Sequence, residues 1–186
     1  MTDISKAKIA ILATNGFEKS ELFEPKKQLE AAGAEITVIS LEAGEIKSWD
    51  KKDWGETIAV DKTLSEVRVS DFDALVLPGG QINPDLLRVE PKAVSFVREF
   101  FNSGKTLAAI CHAPWLLVEA DVLRGRHVTS YPSIKTDVIN AGGLWEDSEV
   151  VVDKALVTSR NPGDIDAFVK KIIEEVREGR HERKAA

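Results

Sequence analysis

Leu107-Ala108-Ala109-Ile110-Cys111-His112-Ala113-Pro114 carries the decisive reading of this chain. An apolar, β-prone run stops at Cys111, the only cysteine present, and a helical pattern resumes at Pro114. Ala109 and Ala113 stand two residues to either side of the thiol. A sharp strand-to-helix turn needs small residues there, because the backbone folds back on itself. Such an elbow lifts its central side chain out of a sheet, as the serine elbow of α/β-hydrolases does. It also aims the N-terminus of the new helix at that side chain, which favours an anion, so a thiolate is expected at Cys111. An isolated free cysteine is ordinarily a small buried hydrophobe. The adjoining histidine and the flanking alanines favour a nucleophile instead.

Outward from the elbow, short apolar runs alternate with amphipathic ones. Strands are expected at Ile9–Leu12, Ile36–Ile39, Ala74–Leu77 and Thr106–Ile110. Helices are expected at Glu21–Ala32, closed by Gly33, at Val89–Ser103 with Pro91 near its start, at Trp115–Ala120, at Ser133–Ala141 and at Asp164–Glu178. Val150–Val152 and Ala155–Thr158 read as a hairpin turning at Asp153-Lys154. Gly44–Asp61, with Trp49 and Trp54 among many charges, reads as a hairpin or covering flap that either packs on the sheet edge or serves a subunit interface. Continuous apolar strands alternating with helices predict a mainly parallel α/β sheet covered on both faces.

The 186 residues, 43% of them hydrophobic, suit one domain spanning 1–186. A net charge of −6 argues against general nucleic-acid binding. One cysteine excludes an internal disulfide and fits a reducing compartment. The apolar run Ala7–Ala13 is too short for a membrane segment, so a soluble cytoplasmic protein is expected. His112, His127 and His181 lie far apart without metal-ligand spacing, so no metal site is expected.

In parallel sheets, ligand sites lie beyond the carboxyl ends of the strands. Three features fall there: Gly16-Phe17-Glu18-Lys19-Ser20-Glu21, Pro78-Gly79-Gly80 and Cys111-His112. Glu18 and Glu21 share one face of a helix's first turn, where a carboxylate suits the helix dipole. Buried beside a thiol, such a carboxyl would have a raised pKa and serve as a proton donor. Gly79 and Gly80 let backbone N–H groups approach a ligand, as an oxyanion hole requires, although an ordinary turn reads the same way. Asp85 either caps a helix or orients a histidine as the third member of a triad.

Assembled in order, these stretches resemble a known family. The match runs through Gly16–Glu21, Leu75–Gly80, Ala109–Pro114, Leu123–Arg126, Ser130-Tyr131-Pro132, Asn140-Ala141-Gly142 and Val150–Arg160, nearly the whole chain. The sequence is similar to the PfpI-type intracellular proteases, within the superfamily of the Parkinson-disease-associated deglycase and the glyoxalase III enzymes. Class I glutamine amidotransferases share the elbow. The resemblance implies a flavodoxin-like three-layer α/β sandwich with a cysteine nucleophile elbow. It implies Cys111 as nucleophile, His112 as catalytic histidine, Glu21 as the carboxyl contacting the sulfur and Glu18 as a neighbouring structural carboxylate. Gly80 and the His112 backbone would line an oxyanion hole, and Tyr131 would stand near the pocket. Asp85 matches an acidic position that reaches the histidine from a neighbouring subunit, which implies a homo-oligomer with its site at the interface. The expected function is stress-protective chemistry on reactive carbonyls, on small aldehydes or glycated molecules, and this implied chemistry requires no cofactor. A cysteine peptidase for short peptides is the alternative. A redox sensor or holding chaperone is a third reading, and it would need an outside thiol to resolve a sulfenic acid.

Overall fold

The computed structural model describes residues 3–183. In chain order its elements are β1 (Lys8–Leu12), β2 (Phe17–Glu18), α1 (Lys19–Ala31), β3 (Glu35–Ser40), β4 (Gly44–Asp50), β5 (Asp53–Val60) and β6 (Lys62–Thr63). Then come β7 (Ala74–Leu77), α2 (Ile82–Leu87), α3 (Pro91–Asn102), β8 (Thr106–Ile110), α4 (Pro114–Glu119) and β9 (His127–Val128). The chain continues through α5 (Lys135–Asn140), β10 (Leu144–Trp145), β11 (Val151–Asp153), β12 (Leu156–Ser159) and α6 (Ile165–Glu178).

Seven strands form one sheet in the order β11-β12-β8-β7-β1-β3-β6. All its pairings are parallel except β11 with β12. Side chains alternate across each strand, so a strand apolar at every position must be covered twice. Ile9 and Ile11 of β1 join Leu22 and Leu29 of α1 and Phe168 and Ile172 of α6 on one face. Ala10 and Leu12 join Val97 and Phe100 of α3 and Leu116 and Leu117 of α4 on the other. The result is the expected three-layer, flavodoxin-like sandwich. No helix among the described residues is long and apolar enough to cross a membrane.

Two connections differ in detail from expectation. The β11–β12 turn lies at Lys154-Ala155, both at positive φ (50° and 63°), not at Asp153-Lys154. A two-residue turn with both φ positive matches the twist of a hairpin. Asp153 stays in the strand opposite Leu156, where its carboxylate accepts a hydrogen bond from the His127 N–H at 2.9 Å. The tryptophan segment is a true hairpin, β4 against β5, with Trp49 paired to Trp54. It does not extend the central sheet. It joins β2 in a small sheet of its own, with Glu18 opposite Trp49, and so overhangs the carboxyl end of β1.

Candidate active site

The end of β8 makes the bend that the small residues announced. Cys111 has φ +65°, a left-handed conformation costing a non-glycine residue about 1–3 kcal/mol. The fold holds it from both sides. The Cys111 N–H donates to Ser159 O at 3.0 Å, and the Tyr131 N–H donates to Cys111 O at 2.8 Å. The Ala113 N–H closes the turn on Ile110 O at 3.0 Å. Ala109 and Ala113 are wholly buried.

Glu21, in the first turn of α1, is wholly buried directly beside the elbow. Its Oε2 accepts a hydrogen bond from the Gly79 N–H at 2.9 Å. Its Oε1 is buried with no hydrogen-bond partner among the described residues. Burial, with the nearby Glu18 charge, raises its pKa to about 8. At neutral pH Glu21 is therefore mostly the carboxylic acid. The Cys111 side chain interacts with the Glu21 carboxyl, which as an acid has a proton to donate. Glu18 is half-buried, with its pKa raised by desolvation while Ser20 Oγ donates to it at 3.3 Å.

Gly79 serves this arrangement by lacking a side chain. A Cβ there would fall 2.6 Å from Cys111 Cβ and 2.7 Å from Ile110 O, and would strike Glu21 Oε2. Its N–H is taken by Glu21, so the expected oxyanion role does not hold for Gly79. The Gly80 and His112 amides are the ones that favour negative charge on the sulfur.

The expected thiolate is corrected in sign. Desolvation pushes the Cys111 thiol well above its ordinary value, and a Glu21 charge pushes it further; the Gly80 and His112 amides oppose this only in part. The sequence marks the turn but not how deeply the fold buries it, and Cys111 is only 6% exposed.

His112 is also buried, and desolvation lowers its pKa, so its ring is neutral at neutral pH. Nδ1 lies 3.2 Å from Cys111 Sγ, and Nε2 lies 3.1 Å from Ser133 Oγ. With Nδ1 accepting from the thiol, Nε2–H donates to Ser133. Tyr131 stacks on the imidazole at 4.7 Å and 22°, and Trp115 meets it edge-on at 5.2 Å. Both ring nitrogens are thus engaged within the chain, and Asp85 is not among their partners. Asp85 stands exposed on α2.

Cys111, His112, Glu21, Glu18, Gly80 and Tyr131 line one cavity of about 400 Å³, together with Trp49, Lys51, Ile82 and Pro162. Sequence reasoning missed Ser133, whose hydroxyl carries no pattern 21 residues beyond His112. It also passed over Asn83 as anything more than a neighbour of Asp85. That amide is buried and clamps the loop above Gly79, accepting from the Thr14 N–H at 2.7 Å and donating to Pro78 O at 2.9 Å. The one trio of potential metal ligands that converges among the described residues is Glu175, Glu178 and His181, none of which lines this cavity.

Comparison with known proteins identifies the family. Protein/nucleic acid deglycase 2 of Escherichia coli is 47% identical over 167 residues, covering 89% of this chain and 95% of its own. A Bacillus subtilis protein named "Putative cysteine protease YraA" is 45% identical over 166 residues, covering 89% and 96%. A crystal structure from Anabaena variabilis with DJ-1/ThiJ/PfpI-like and ferritin-like domains superposes with a TM-score of 0.87 at 39% identity. It covers 92% of this chain, which spans 48% of that two-domain protein. The sequence pattern of the DJ-1/PfpI family matches residues 7–175, and with the elbow, the buried acid and the neighbouring histidine in place, the chain belongs to the DJ-1/PfpI family.

Proposed function

We propose that this chain is a cofactor-independent cysteine enzyme acting on reactive carbonyls, of the deglycase or glyoxalase III type. The carrying observation is the 3.2 Å contact between Cys111 Sγ and His112 Nδ1 beside a buried Glu21 carboxyl in one cavity. A neutral thiol next to a neutral imidazole suits attack with simultaneous proton transfer. Sγ bonds to the aldehyde carbon while the thiol proton passes to Nδ1. The carbonyl oxygen takes a proton from Glu21, near the Gly80 N–H, and a hemithioacetal results. For a dicarbonyl such as methylglyoxal, the ionised Glu21 then carries the former aldehyde C–H proton to the neighbouring carbon, while the hemithioacetal hydroxyl proton passes to the ketone oxygen. This gives a thioester of the hydroxy acid, which water cleaves to lactate and the free thiol. The balance is one dicarbonyl plus one water to one hydroxy acid. On the aminocarbinol of a glycated amine, Sγ displaces the amine from the carbinol carbon, the amine leaves with the proton that Nδ1 took from the thiol, and the same hemithioacetal results.

The name of the Bacillus relative favours a second reading, a cysteine peptidase for short peptides. Purified protein assayed with methylglyoxal and with a fluorogenic peptide separates the two. Dicarbonyl turnover without cleavage supports the carbonyl enzyme; cleavage alone supports the peptidase. Cys111→Ala abolishes either activity while the fold survives. Lactate production persisting in that variant would remove the covalent mechanism.

A shared site between copies of the chain is part of this proposal. The outer side of α2 exposes Asp85 together with Ile82 and Leu86, and Val89 just beyond it is 71% exposed. An apolar face around a carboxylate suits a self-interface. A neighbour's Asp85 would share His112 Nε2 with Ser133. Mixing Asp85→Asn with Cys111→Ala subunits, after exchange, restores part of the activity; failure to complement counts against the shared site. One cysteine and the absence of long apolar helices among the described residues support a cytoplasmic setting.

A further inference from the structure

The end of α6 carries a cluster that carbonyl chemistry does not use. Glu175 and Glu178 lie one helical turn apart on α6, and the helix stops at Gly179. Gly179 has φ +95°, a conformation that turns the chain sharply and that a side chain rarely adopts. Two residues on, His181 is pinned by its backbone: its N–H donates to Gly104 O at 2.9 Å. Its ring therefore returns over the last turn of the helix. His181 Nε2 lies 3.3 Å from Glu175 Oε2 and 3.6 Å from Glu178 Oε2, and the three ligand atoms all fall within 4.8 Å of one another.

Glu175 supplies a second, separate observation. It is only 7% exposed, and its Oε2 is buried with no hydrogen-bond partner among the described residues. The Ala155 amide binds the carboxyl, and desolvation raises its pKa. The unsatisfied oxygen faces the imidazole and Glu178. Arg183, the nearby cation that Glu175 also feels, donates to the carbonyls of Phe101, Lys105 and Lys154. Lys171 is engaged by Glu174 at 2.5 Å. Neither closes the cluster. A buried carboxylate oxygen left open beside an imidazole and a second, exposed carboxylate is a half-built coordination shell.

We propose that Glu175, Glu178 and His181 bind a first-row divalent cation of the zinc class, with the remaining position open to water. Oxygen and nitrogen ligands about 2.1 Å from a tetrahedral ion stand about 3.4 Å apart, close to the 3.3 and 3.6 Å separations here. One imidazole with two carboxylates suits Zn²⁺ and Co²⁺ better than Mg²⁺. The ion would tie the end of α6 to the segment that His181 anchors against Gly104. The sequence hides the site because the histidines alone show no ligand spacing; the pattern is Glu-x-x-Glu-x-x-His across a helix end.

The test uses the full chain, stripped with chelator and carrying Cys111→Ser so that the elbow takes no metal. Zn²⁺ competed against a chromogenic chelator should bind at one equivalent. Co²⁺ should give the intense visible absorption of a four-coordinate ion. Glu178→Gln and His181→Ala, both at partly exposed positions, should each weaken Zn²⁺ binding by about tenfold or more. Nitrogen NMR of His181 in the unmutated site should show Nε2 metallated. No saturable binding, affinity unchanged in both variants, or a His181 Nε2 signal that does not respond to Zn²⁺ would overturn the proposal and leave an ordinary histidine–carboxylate contact.

Discussion

Glu21 and His112 set opposite pH limits on the same cavity. The Glu21 pKa is raised from an ordinary 4.5 to about 8, so the folded state holds a proton that the unfolded chain has released. That preference favours folding fully below pH 4.5 and is lost as pH rises toward 8. Glu21→Gln, which cannot ionise, should flatten this decline: the difference in Tm between variant and wild type should shift in favour of the variant as pH rises from 4.5 to 8. His112 is shifted the other way, because burial favours its neutral form. Carbonyl turnover should therefore persist below pH 6.5 and fall only once the imidazole protonates. His112→Ala should lower kcat by about 10²–10⁴. Ser133→Ala should move the acidic limb of the pH profile without removing the nucleophile, read as a shift in the apparent pKa of kcat/KM. Cys111, Glu21 and His112 were legible in the sequence, because an elbow and a helix start constrain residue type. Ser133 and the direction of the thiol shift were not, since both depend on how segments distant in sequence enclose the bend.

The elements matter through what they leave out as much as through what they contribute. The turn after β7 passes so close to the elbow that no Cβ fits at Gly79. Gly79→Ala should destabilise the fold by about 1–3 kcal/mol by overpacking, and should displace Glu21 from the sulfur, measurable as a lowered Tm with a changed rate of thiol alkylation. The β4–β5 hairpin forms a wall of the cavity with Trp49, braced edge-on by Trp54 at 5.5 Å. Trp49→Ala should raise KM more than it lowers kcat, because the indole contacts ligand space rather than the reacting atoms. The hairpin was foreseeable from its charges and tryptophans; its placement was not. Pairing with β2, rather than with the sheet edge, depends on the two-residue strand Phe17–Glu18, too short to leave a periodic signal.

At the scale of the whole molecule, the architecture was the most legible level. Strands such as Ala74–Leu77 and Thr106–Ile110 are apolar at every position, and only a sheet covered on both faces buries them. Parallel order then brings the first loop, the Pro78-Gly79-Gly80 turn and the elbow to one end. What the pattern could not convey was which carboxyl oxygens would end up buried without a hydrogen-bond partner among the described residues, Glu21 Oε1 at the cavity and Glu175 Oε2 at the end of α6. The aromatic contact on His112 has its own consequence. Trp115 lies edge-on to the imidazole, and its indole N–H is fixed by Asp137 at 2.9 Å. An imidazolium quenches indole fluorescence where a neutral ring does so weakly. Emission from Trp115, isolated by replacing the other tryptophans with phenylalanine, thus offers an optical gauge of when the nucleophile's base takes up its proton.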